Sequence, residues 1–152
     1  MIRLALYQPD IPQNTGTLVR MAACLGIAID LIEPAGFDLS DRNFRRAGMD
    51  YADRAIITRH DSFDVFNQWR KEQGFRLILG ETDGAHTYTD FVFQQGDIVM
   101  MGRESAGVTH SVYETVDASV HILQVAGTRS LNVAIAGALI VGEALRQIAY
   151  KS

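Results

Sequence analysis

The sequence predicts an α/β protein, a parallel sheet flanked by helices, and two observations carry that prediction. Short apolar runs recur along the chain, too uniformly apolar to be strands with one face in water, so both faces are expected to be covered. Between them lie segments with the 3.6-residue spacing of amphipathic helices, several opened by a capping residue and closed by glycine.

Taken in order, residues 2–7 read as the first strand. Residues 14–25 read as a helix ended by Gly26, and residues 27–32 as a second strand stopped by Glu33 and Pro34. Residues 39–47 suit a short helix and residues 55–58 a short strand. Ser62 is placed to cap a helix that runs to Gln73, with Gly74 beyond its end and Val65, Phe66 and Trp69 on its inner side. Residues 76–79 and 97–101 are continuous apolar strands, and residues 120–123 a shorter one. The stretch Val108-Thr-His-Ser-Val-Tyr113 is too short to assign. A long helix rich in small residues follows Asn132, and its Ala134, Ala136, Gly137 and Ala138 suit close packing, within the core or against a second copy.

Composition sets the outer limits. At 152 residues and 47% hydrophobic, the chain has the size of one domain, residues 1–152, with a full core and no separate RNA-binding domain expected. The first residues lack the pattern of a signal peptide and no long apolar run is free of charge or glycine, which points to the cytoplasm and to no membrane partner. Cys24, the single cysteine, lies among helix-pattern residues and is expected to be a small buried hydrophobe. Four scattered histidines without ligand spacing argue against a metal. The net charge of −4 speaks weakly against nucleic acid, yet Arg42, Arg45, Arg46, Arg54 and Arg59 stand close together against Asp50 and Asp53. That cluster reads either as a footprint for phosphates or as a solvated face with internal ion pairs.

The chemistry is expected at strand ends. Ligands of open α/β sheets bind outside the carboxyl ends of strands, and Gly80, Gly102 and the segment after Leu123 all fall there, so three loops converge on one site. The turn after the first strand holds one glycine and two prolines, which excludes a dinucleotide-binding fingerprint. Arg129, Ser130 and Asn132 gather at the start of the last helix, where unpaired N–H groups and the positive end of the helix dipole meet. Either a ligand or an ordinary cap satisfies that helix start.

Three motifs, Asn14-Thr-Gly-Thr-Leu-Val-Arg20, Gly102-x-Glu104-x-x-Gly107 and Ser130-Leu-Asn132, together resemble the SpoU (TrmH-type) class of SPOUT RNA 2′-O-methyltransferases. The opening Leu-Tyr-Gln-Pro-Asp-Ile-Pro-Gln-Asn-Thr-Gly, Arg45-Arg-Ala-Gly-Met-Asp-Tyr51, Thr58-Arg-His60 and the closing Glu-Ala-Leu-Arg-Gln are similar to the TrmL (YibK-like) subgroup. The resemblance implies a deep C-terminal trefoil knot, a homodimer, and S-adenosyl-L-methionine held by the loops after Gly80, Gly102 and Ile122. Ser130 and Leu131 belong to that cofactor set, with Ile122, Leu131 and Leu123 against the adenine. It further implies methylation of the 2′-hydroxyl of the wobble nucleotide, cytidine or uridine 34, in the tRNA anticodon stem-loop, with Arg45, Arg46 and Arg129 toward the RNA. Another RNA position, or a knotted binding protein without activity, are the alternatives.

In that family the motif-one arginine, here Arg20, is the general base; a clamp on phosphate and alkoxide is the other reading, since arginine stays protonated. Asn14 orients Arg20 or the ribose, or caps its helix. Glu104 organises the site by accepting hydrogen bonds from Arg20 or Asn14. Ser130 and Asn132 bond cofactor or substrate. Two departures from the subgroup, Gly142 where relatives carry an aromatic residue and Arg103 where they carry proline, bear on substrate contacts.

Overall fold

The computed structural model describes residues 1–149, apart from the side chains of Asp50, Ala52 and Ala149. Its strands are β1 (Arg3–Tyr7), β2 (Ala28–Ile32), β3 (Ile57–His60), β4 (Leu77–Gly80), β5 (His86–Thr87), β6 (Ile98–Met101) and β7 (Ala118–His121). They form one parallel sheet in the order β3-β2-β1-β6-β4-β7-β5. The helices are α1 (Pro12–Leu25), α2 (Arg42–Gly48), α3 (Phe63–Gln73), α4 (His110–Tyr113) and α5 (Val133–Ala149), with a 3₁₀ turn at Met49–Asp53.

Strand alternation sorts the apolar side chains into two layers. Leu4, Leu6, Val99 and Met101 face one side, where Leu18, Val19 and Ala22 of α1 and Ile140, Val141 and Ala144 of α5 cover them. Ala5, Tyr7, Ile98 and Met100 face the other, beneath Phe63 and Phe66 of α3 and Val112 of α4. Both faces of the central strands are therefore dry, as their composition requires.

Several boundaries differ from those expected. Helix α1 begins at Pro12, two residues before Asn14, because proline at the first helical position loses no bond and fixes the right φ. Strand β3 lies two residues later than expected and β7 two residues earlier, each set by its ladder partner. Val65 is half exposed: Phe63, Phe66 and Arg70 carry the inward face of α3, and that spacing turns Val65 outward. Cys24 is exposed, on the opposite side of α1 from Leu18, Val19 and Ala22. In α5, Ala134 and Gly137 pack inward, with Gly137 against Leu18 and Met101, whereas Ile135 and Leu139 point outward uncovered. The unassigned 108–113 stretch contains α4, capped by Thr109.

One crossing decides the topology of the second half. β7 lies between β4 and β5, so the connection from Gly80 to His86 passes over the end of β7. Gly84 sits at that crossing, where an added Cβ would lie 2.3 Å from the Val120 carbonyl. Its carbonyl accepts a 2.7 Å hydrogen bond from His121 Nδ1. No helix among the described residues is long and apolar enough to cross a membrane.

Candidate active site

The carboxyl ends of β4, β6 and β7 open into a cavity of about 350 Å³. Gly80 at the end of β4 and Glu81 just beyond it line the cavity, with Gly102, Arg103, Glu104 and Gly107 after β6, and His121, Ile122 and Gln124 at the end of β7. Ser130, Leu131 and Asn132 close it ahead of α5, and Asn14 enters from α1. The three loops expected to converge do so.

Asn132 does two things at once. Its Oδ1 accepts from the N–H groups of Ala134 at 2.8 Å and Ile135 at 3.3 Å, the ordinary work of a helix cap. Its Nδ2 donates to Asn14 Oδ1 at 2.9 Å. Because Asn14 sits inside the first turn of α1, it is not that helix's cap, and its side chain is available for the bond that ties the first motif to the third.

The loop after β6 is a tight turn. Arg103 and Gly107 exchange backbone bonds of 3.0 and 2.8 Å, and a Cβ at Gly102 would come within 2.8 Å of Gly107. The turn presents Glu104 not to Arg20 or Asn14, as expected, but to Asp10 of the β1–α1 connection. The Asp10 N–H donates to Glu104 Oε2 at 3.3 Å, and the Glu104 N–H donates to Asp10 Oδ1 at 3.2 Å. The Ser105 hydroxyl donates to Asp10 Oδ2. Burial, then the adjoining Asp10 carboxyl, push Glu104 up to about 7, while Asp10 is lowered, first by its hydrogen bond with Glu104. Glu81 is raised as well, by burial and then by Asp83.

Arg20 lies six residues further along α1 than Asn14, on its exposed side and outside the cavity wall. Its guanidinium sits 5.7 Å over the ring of Tyr51, which Arg54 approaches at 5.8 Å. Arg45 is bound to Asp53 at 2.9 Å and Arg59 to Glu33 at 2.8 Å, so internal pairs occupy part of the basic cluster; Arg46 and Arg129 are exposed. Arg103 stacks 5.5 Å over Tyr7. Sequence reasoning missed Asp10, Ser105, His121 and Tyr51. Of these, Asp10 had a readable signal: an acid beyond the carboxyl end of a strand.

The model of the SpoU rRNA Methylase family matches residues 1–142. The chain belongs to that family. Among SpoU relatives, the tRNA (cytidine(34)-2′-O)-methyltransferase of Ancylobacter novellus is 57% identical over 146 residues, covering 96% of this chain and 92% of that protein. A solved structure described as structural insights into the 2-OH methylation of C/U34 on tRNA has a TM-score of 0.92 at 37% identity, covering 98% of this chain and 97% of the other. An AdoMet-bound rRNA methyltransferase from Sinorhizobium meliloti has a TM-score of 0.88 at 27% identity, covering 97% and 56%.

Proposed function

We propose that this protein transfers a methyl group from S-adenosyl-L-methionine to the ribose 2′-hydroxyl of the wobble nucleotide, cytidine or uridine 34, of tRNA. The observation that carries the reading is the joining of all three motif segments at one cavity, with Asn14 bonded to Asn132 and Glu104 on the rim. The relatives that cover nearly the whole chain carry that activity in their names.

The cavity suits the donor. Leu79, Val120, Ile122, Leu131 and Ile140 give apolar walls for an adenine, and the main chain at three strand ends supplies hydrogen-bonding groups. Gly80, Gly102, Ile122, Ser130 and Leu131 are the residues we assign to holding it. The donor brings a methyl group already activated by the sulfonium charge, so the protein's part is to align the hydroxyl and handle its proton.

Arg20 acts as a clamp. Its place outside the cavity wall and over Tyr51 suits a grip on the phosphate of an incoming strand, and its permanent charge suits stabilisation of the developing alkoxide. Arg45, Arg46 and Arg129 extend that positive face toward the stem-loop. Ile135 and Leu139, one turn apart on the outward side of α5, are apolar and exposed, which supports a homodimer in which a second copy covers them. The crossing at Gly84 supports a chain threaded as a trefoil knot, with the domain of residues 1–152 supplying both donor and RNA contacts in the cytoplasm.

One experiment tests the reading: labelled methyl transfer to bulk tRNA, followed by nuclease mapping of the resistant 2′-O-methyl linkage. Label at nucleotide 34, reduced at least about 100-fold in Arg20→Ala with donor binding kept, is the expected result. Label elsewhere moves the target, and no label with intact donor binding overturns the activity. Repeating the assay as the protein is diluted, beside sedimentation, reads the dimer.

A further inference from the structure

The β1–α1 connection is built to hold one side chain in one place. Gln8 takes a left-handed backbone conformation, φ 42°, which is strained for a residue other than glycine and persists only where its surroundings impose it. The Pro9 carbonyl accepts a 2.8 Å bond from the Gly36 N–H, and a Cβ at Gly36 would stand 3.1 Å from the Asp10 Cα. Asp10 is thus fixed from behind, and its carboxyl and its N–H both face Glu104.

Each residue gives its N–H to the other's carboxylate, a reciprocal clasp between positions 94 apart in sequence, and Ser105 binds Asp10 as well. Nothing in the fold's packing needs this clasp to consist of two acids. The other charged or titratable groups at the cavity are Arg103 from the same turn, stacked on Tyr7, Glu81 after β4 and His121 at the end of β7. None of them hydrogen-bonds or ion-pairs with Glu104, so Asp10 is the charged neighbour that adds to burial in raising its proton affinity.

We propose that Asp10 is a positioning residue: it clasps Glu104 on the rim of the cavity, so that the two carboxyls act as one unit that takes the proton given up by the substrate hydroxyl. The inference rests on the methyl-transfer reading. In that reaction the ribose oxygen forms a bond to the methyl carbon as the sulfur–carbon bond breaks, the sulfonium becomes a thioether, and the hydroxyl hydrogen leaves as a proton to the carboxylate pair. Glu104, pushed up to about 7 by burial and Asp10, has the affinity that suits a proton acceptor near neutral pH. Without Asp10 the part of the rise that burial causes would remain, but the part due to the neighbouring carboxyl would go, leaving a weaker base.

The test has two readouts on the intact protein. The first needs neither donor nor RNA: carboxyl carbon-13 titration of protein labelled in glutamate, with the Glu104 signal assigned by its loss in Glu104→Gln. Glu104 is expected to titrate near 7 in the wild type and at least about one pH unit lower in Asp10→Asn, with Asp10→Glu restoring it. The second is the pH dependence of methyl transfer. Its acid limb should move down in Asp10→Asn and stay in place in Ser105→Ala, which leaves the two acids facing each other. An unmoved Glu104 midpoint in Asp10→Asn, or an unmoved acid limb with only a lower rate, overturns the proposal. A wild type that methylates no RNA overturns the methyl-transfer reading and the proton step with it; the titration then decides the clasp by itself.

Discussion

Asp30, within β2, and Asp97, just before β6, each meet an arginine fork, whereas Glu104, on the rim of the cavity, meets a second carboxyl. Asp30 is wholly buried and takes Arg3 Nε and Nη2, both at 2.8 Å, with His60 Nε2 at 2.9 Å. Asp97 takes Arg76 Nε at 2.8 Å and Nη2 at 2.7 Å, and the Gln94 N–H besides. Each of these acids has its charge matched and its oxygens occupied, which is the condition for burying a carboxylate without heavy cost. The Glu104–Asp10 clasp satisfies hydrogen bonds but leaves charge unmatched. The same side-chain chemistry thus serves rigidity in one region and proton affinity in the other.

The strongest way to break this comparison is at Asp30. Asp30→Ala leaves the Arg3 fork facing an empty site inside the sheet and His60 without its partner, and removing one member of a buried pair typically costs about 3–5 kcal/mol. Arg3 is partly exposed, so the lower end of that range, about 3 kcal/mol, is expected in urea unfolding. A loss below about 1 kcal/mol would mean that the interior pairs do not carry the sheet.

The two regions also differ in how far the sequence reveals them. Apolar runs and glycine stops gave away the strands and the faces of α1 and α3, because period and punctuation are local signals. Pro12 was a legible helix start that the polar Asn14 obscured. Strand β5, only His86 and Thr87, exists because the chain crosses β7, and Gly84 is required by a neighbour 36 residues away, so no local pattern announces either. Glycines at strand ends located the cavity, and the motifs drew attention to Asn14, Glu104, Ser130 and Asn132. The partner of Glu104 was hidden for a physical reason: two acids 94 residues apart carry no pairing signal, whereas an arginine and an acid do.

Asn132 sharpens the comparison from the middle, because it belongs to both regions. As the cap of α5 it stabilises the fold, and Asn132→Ala should cost about 1 kcal/mol in urea unfolding. As the donor to Asn14 it ties the cavity walls together, so Asn132→Ser, which keeps a capping oxygen but cannot reach Asn14 in the same way, should keep most of the stability and lose methyl transfer. Equal losses of stability in both variants would show that the Asn14 bond, not the cap, holds this corner.

The smallest expected change in stability is at Glu104, and its sign distinguishes the rim from the interior. Glu104→Gln keeps the shape and removes a carboxyl whose charge nothing matches, so stability at neutral pH should stay within about 0.5 kcal/mol of the wild type or rise, where the same kind of change at Asp30 is costly. A carboxyl raised in the folded state from 4.5 to about 7 favours folding when protonated. Its contribution is fully present below about 4.5 and is lost as pH rises through about 7. Asp10 is shifted the opposite way, below its ordinary 3.8, so its contribution is fully present and constant across that window and is lost only at lower pH. Between pH 4.5 and 7 the wild type should therefore lose stability relative to Glu104→Gln, read as urea midpoints at several pH values. Two curves that stay parallel across the window would mean that the folded protein does not hold a proton on Glu104, and the contrast between matched and unmatched carboxylates would lose its energetic content.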